Sequence, residues 1–82
     1  MRIAEKGNVK VYYYESKKDL MNYEKELRKL KIGLDHNIEF PKICPIKESY
    51  IVLLHNTGDM KKDVEKLNKC LDVFKLQNFK EL

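Results

Sequence analysis

Four side chains of this sequence are of types that bind zinc or act as nucleophile and base: His36, Cys44, His55 and Cys70. Structural zinc sites pair ligands two to five positions apart, because one turn of chain must aim both at the same ion. The nearest pair here is His36 and Cys44, eight positions apart. Neither a metal nor another cofactor is expected. Thiol chemistry by Cys44 with His55 as base would need the two within hydrogen-bond reach and a lowered thiol pKa. Cys44 instead sits between Ile43 and Pro45, and Gly7, Gly33 and Gly58 are too isolated to form a phosphate-binding loop. No catalytic residue is assigned.

Binding is better represented than catalysis. In Val9-Lys10-Val11-Tyr12-Tyr13-Tyr14, strand alternation sets Val9, Val11 and Tyr13 on one side and Lys10, Tyr12 and Tyr14 on the other. If that second side is open, its tyrosines form a contact surface for a protein, or a stacking platform with flanking cations for single-stranded nucleic acid. Lys18, Lys25, Arg28 and Lys29 add a basic helix face, although Glu24 and Glu26 lie at ion-pairing spacing. The expected partner-binding set is therefore Lys10, Tyr12, Tyr14, Lys18, Lys25, Arg28 and Lys29.

Charge qualifies the nucleic-acid reading. The 82 residues carry a formal net charge of +4, but of 17 basic residues only Arg2 and Arg28 are arginines. Lysine is a hydrated point charge, without the planar fork that reads phosphates and bases. The surplus lies in residues 1 to 34, which hold nine positive and five negative groups.

The elements that must position these residues follow from punctuation and periodicity. Lys6-Gly7-Asn8 is a turn that lets Arg2 to Glu5 fold back as a short edge strand. Ser16-Lys17-Lys18-Asp19 has the form of a capping box, and Leu20, Tyr23, Leu27, Leu30 and Leu34 continue as one helical stripe stopped at Gly33. Ile38-Glu39-Phe40 opens a second extended segment, which Pro41 and Pro45 restrict to an edge or an irregular connection. After the polar break Lys47-Glu48-Ser49, the run Tyr50 to His55 is apolar enough for the centre of a sheet. Thr57-Gly58-Asp59 caps a second helix, with Met60, Val64, Leu67, Leu71 and Phe74 at helical spacing to about residue 76. Phe79 and Leu82 are left to close the sheet as a short strand or to pack under the helix end.

The predicted fold is a single α+β domain over residues 1–82, of order β-α-β-β-α. It is a small mixed sheet with both helices packed on one face, a split βαβ arrangement that is ferredoxin-like or a truncated relative. The order of elements, with Ser16 to Glu24 opening a helix, Phe40-Pro41 ending the next segment and Ser49 preceding a strand, resembles the small selenium- or sulfur-carrier proteins. That resemblance covers most of the chain and implies a thiol carrier. The family's Cys-Gly pair after the serine is replaced here by Tyr50-Ile51, which leaves Cys44 as the only thiol nearby.

The functional expectation is a non-enzymatic interaction module, an adaptor, regulator or inhibitor that binds a larger protein. The alternatives are a nucleic-acid-binding protein and a carrier or enzyme using Cys44. No apolar run reaches membrane-spanning length and the first residues lack a secretory pattern, so a cytoplasmic protein with no membrane partner is expected. Exposed sheet edges are compatible with a homodimer.

Overall fold

A computed structural model describes residues 2–30 and 41–82. They form a small mixed α/β fold with a four-stranded sheet and three helices. The elements are β1 (Arg2–Lys6), β2 (Val9–Tyr14), α1 (Lys17–Met21), α2 (Glu24–Lys29), β3 (Lys42–Ile46), β4 (Ser49–His55) and α3 (Met60–Val73). The strand order is β1-β2-β4-β3. β2 and β4 are a parallel central pair, and β1 and β3 add antiparallel on the two edges. The Arg2 to Glu5 segment is thus the edge strand that the Gly7 turn allows. Gly7 sits at φ 60°, a left-handed conformation that costs glycine nothing.

Both central strands are apolar on both parities, and this decides the layering. Val9, Val11 and Tyr13 join Val52 and Leu54 on one face, under Leu67 and Leu71 of α3. Tyr12 and Tyr14 join Ile51 and Leu53 on the other, under Leu20 of α1 and Leu27 of α2. The helices therefore lie on opposite faces, which corrects the expectation of two helices on one face. A single helical layer would have left four or five large side chains of β2 and β4 in water. Parallel strands are characteristically covered on both sides for this reason.

The first helix is also shorter than its apolar stripe suggests. Ser16 caps α1 by accepting from the Asp19 amide at 3.2 Å, and the Asp19 carboxylate reaches back to the Glu15 amide at 3.1 Å. At Asn22 and Tyr23 the amides bond three residues back, to Asp19 and Leu20, which tightens and ends the turn. The chain restarts as α2, with Tyr23 turned edge-on against Tyr12 at 5.9 Å. The expected stop at Gly33, the stripe residue Leu34, the ligand candidate His36 and the segment Ile38 to Phe40 lie outside the described residues.

Helix α3 begins at Asp59, whose carboxylate accepts from the Lys62 amide at 3.2 Å. It ends earlier than its periodicity implies, because Leu76 and Lys75 donate to the carbonyls of Leu71 and Asp72 with Lys75 at φ 55°. This is the Schellman arrangement, with lysine where glycine is usual. Beyond it no strand forms. Asn68 grips the tail by donating to the Phe79 carbonyl at 2.8 Å and accepting from the Phe79 amide at 2.9 Å, seating Phe79 in the α3-side core.

Candidate functional site

The residues singled out by sequence are dispersed by this architecture. Tyr12 is fully buried and Tyr14 is 4% exposed. Tyr12 donates its hydroxyl to Glu26 at 3.3 Å, and the Tyr14 ring lies 5.6 Å from that of His55. Neither ring is available for docking or for stacking on a base, so the sheet-face surface expected from sequence does not exist. The side chains of β2 do alternate between the two faces, and the side that carries Lys10, Tyr12 and Tyr14 is roofed by α1 and α2. Lys10 lies with its ammonium 5.4 Å from the centre of the Tyr12 ring. Lys18, Lys25, Arg28 and Lys29 are exposed on the outer surface of α1 and α2, with Arg28 paired to Glu24 at 2.5 Å.

The thiol and metal candidates do not converge. Cys44 is opposite Ile51, while His55 is four residues further along β4, roughly 13 Å at strand spacing. The His55 Nε2 is instead 3.0 Å from the Glu15 carbonyl. Burial raises the Cys44 thiol pKa against a smaller lowering by Lys42, and burial raises that of Cys70 as well. A raised pKa keeps each thiol protonated and poorly nucleophilic at neutral pH. The two cysteines sit on opposite sides of the sheet, and both are free. Among the described residues no three His, Cys, Asp or Glu side chains form a metal-binding group.

Two features not singled out from sequence stand out. The first is at the end of the sheet where both hairpin turns lie. A cavity of about 430 Å³ opens there, with Ile46, Ile51, Leu30 and Tyr50 as apolar walls and Lys10 and Lys47 beside them. It lies beyond the end of α2, which stops at Lys29. Tyr50 connects it to the end of α3, its ring 6.0 Å from that of Phe74. Two exposed apolar side chains border it: Leu30, in its lining, is 36% exposed, and Phe74, against Tyr50, is 43% exposed.

The second is at the opposite end. Asp63, in the first turn of α3, is fully buried. Its carboxylate accepts from the hydroxyl of Tyr13, from the Thr57 hydroxyl at 2.6 Å and from the Thr57 amide at 3.1 Å. Burial pushes its pKa up, but the bonds from Thr57 and Tyr13, with the charge of Lys66, outweigh that and hold it below the ordinary value. Burial and the Asp63 charge raise the Tyr13 phenol pKa correspondingly. The trio is satisfied within the chain, so its effect is to pin the β4–α3 loop to β2. The sequence did contain a signal for it, since Asp63 precedes Leu67 and Leu71 at intervals of four and so falls on the buried stripe.

Among the described residues no helix is long and apolar enough to cross a membrane. In comparisons with known protein families, curated proteins and solved structures, the chain has no significant match.

Proposed function

We propose that this chain is a non-enzymatic interaction module that docks on a larger protein through the hairpin-turn end of its sheet. The observation that supports this reading is that the exposed apolar side chains Leu30, in the cavity lining, and Phe74, against Tyr50, flank this end of the sheet. Interface centres are rich in such aromatic and aliphatic anchors, whereas isolated surface apolars are scattered. Lys10 and Lys47 at the cavity favour a partner segment that combines an apolar anchor with acidic neighbours. Within this proposal the fold is a split βαβ unit whose parallel pair is β2 and β4.

The test is capture of partner protein by the folded chain, by Leu30→Asp and by Phe74→Asp, each with and without nuclease. The expected result is a protein partner retained through nuclease treatment and lost by both variants while their circular dichroism stays native. Undiminished capture by both variants would remove the hairpin end from consideration. Capture that disappears with nuclease would move the reading to nucleic acid.

A further inference from the structure

The two edges of the sheet differ in what they offer to a further strand, and the hydrogen-bond parity shows how. The carbonyls of Asn8 and Tyr14 accept from the amides of Tyr50 and Asn56 at 2.8 and 2.7 Å, so even-numbered residues of β2 turn their backbone toward β4. Odd-numbered residues Val9, Val11 and Tyr13 therefore turn toward β1, where their partners are Lys6, Ala4 and Arg2. It follows that Ile3 and Glu5 direct both N–H and C=O outward, away from the sheet.

The same reasoning on the other edge gives a different result. Tyr50 faces β2, so Ser49, Ile51 and Leu53 face β3 and pair with Ile46, Cys44 and Lys42. The outward residues of β3 are Ile43 and Pro45, and Pro45 has no N–H to give. Proline on an exposed edge is a recognised block to strand addition. β3 is thereby protected, and β1 has no proline to protect it.

The side chains of β1 define what fits. Arg2, Ala4 and Lys6 project on the α3 face. There Lys6 donates to the Asn78 carbonyl at 2.8 Å and Arg2 donates to the Leu82 carbonyl, which holds the tail alongside the strand. Between strand and tail is a groove of about 260 Å³, lined by Ala4, Glu5, Lys6, Phe79, Lys80 and Glu81. A strand laid against β1 would place one residue opposite Ala4, facing this groove, and its neighbours two positions away opposite Arg2 and Lys6.

We infer that the outer edge of β1 is a strand-addition site for an extended segment of a partner protein with the pattern acidic-x-apolar-x-acidic. The intervening residues bond to the N–H and C=O of Ile3 and Glu5. The apolar residue enters the groove over Ala4 and Phe79, and the acidic residues meet Arg2 and Lys6. The pattern is symmetric and so serves either strand direction. A second copy of this chain is disfavoured as occupant in the register that pairs the whole of β1 with itself. The self-pairing centred on Ala4 sets Arg2 against Lys6 of the other copy, and like charges directly opposite are destabilising. This inference uses backbone groups of an edge, not the hairpin-end surface, and either can fail without the other.

The probe is the capped peptide Ser-Asp-Thr-Leu-Val-Asp-Ser, with a control carrying lysine in place of both aspartates. Binding is read by fluorescence anisotropy and by amide hydrogen exchange. The expected result is binding of the first peptide, at least about tenfold weaker binding of the control, and slowed exchange at the Ile3 and Glu5 amides alone among those of β1. Ile3→Pro removes an outward amide and spares the inner ladder, so binding should fall about tenfold with the fold retained. Should that variant lose its fold, Arg2→Glu with Lys6→Glu gives the same readout through charge. No binding, equal binding of the control, or unchanged exchange at Ile3 and Glu5 would overturn the inference. So would protection of those amides by concentration-dependent dimerisation without peptide, which would assign the edge to a second copy.

Discussion

The hydroxyl of Tyr13 in β2 donates to the buried carboxylate of Asp63 in α3, fifty residues further along the chain. With Thr57 as the other donor, this bond joins the central strand, the β4–α3 loop and the helix start. Asp63→Ala would leave the Tyr13 hydroxyl and the Thr57 donors without their acceptor. The expected loss of stability is about 3 kcal/mol, against about 1 kcal/mol for Tyr13→Phe. Urea unfolding measures both, and a loss below that of Tyr13→Phe would show that the carboxylate does not organise the network.

The same group sets an acid dependence. The pKa of Asp63 is lower in the folded chain than in the unfolded one, so the unfolded state binds the proton more readily. The stabilisation is complete above the ordinary aspartate range and is lost as pH falls through the depressed folded value. Unfolding free energy should therefore drop on acidification below about pH 4. The drop should be shallower in Asp63→Asn, and equal slopes in the two proteins would count against the assignment.

Tyr12 now carries a structural prediction, not a docking one. It is fully buried with Leu27 in the α1/α2-side core. Tyr12→Ala should cost about 3 to 5 kcal/mol, and Leu27→Ala about 2 to 5 kcal/mol. Leu67→Ala on the opposite face should cost a similar amount to Leu27→Ala. Thermal denaturation that spared Leu27→Ala alone would mean that α1 and α2 are not an essential layer.

Among the described residues two lysines occupy left-handed backbone, Lys47 at φ 53° in the β3–β4 turn and Lys75 at φ 55° after α3. A residue with a Cβ pays about 1 kcal/mol there that glycine does not. Lys75→Gly and Lys47→Gly should each raise the melting temperature by a few degrees, and Gly7→Ala, at φ 60°, should lower it. A fall in melting temperature for both lysine variants would locate their stabilising contribution in the side chain.

Cys44 should react slowly. Its thiol pKa is raised chiefly by burial, so little thiolate is present at neutral pH. Alkylation at pH 7 should be slower than that of an unstructured cysteine peptide and should reach the peptide rate on denaturation. A folded-state rate above that of the peptide would revive the thiol reading.

Local rules in the sequence settled the pieces. Gly7 with Asn8 made a hairpin turn, Ser16 and Asp59 capped helices, and the alternation of Val9 to Tyr14 assigned each side chain to a face. Pro45 placed β3 at an edge, and the apolar run to His55 placed β4 in the centre. These features act over a few residues and so can be read from them. The tertiary structure alone decided which faces are covered, because that depends on where separate elements return. Burial of Tyr12 and Tyr14 rests on α1 and α2 crossing their side of the sheet while α3 takes the other. Asp63 finds its donors only after β2 and the β4–α3 loop have been brought together. Which edge stays open among the described residues likewise follows from the pairing register, since only hydrogen-bond parity turns Ile3 and Glu5 outward and puts the missing amide of Pro45 on the opposite rim.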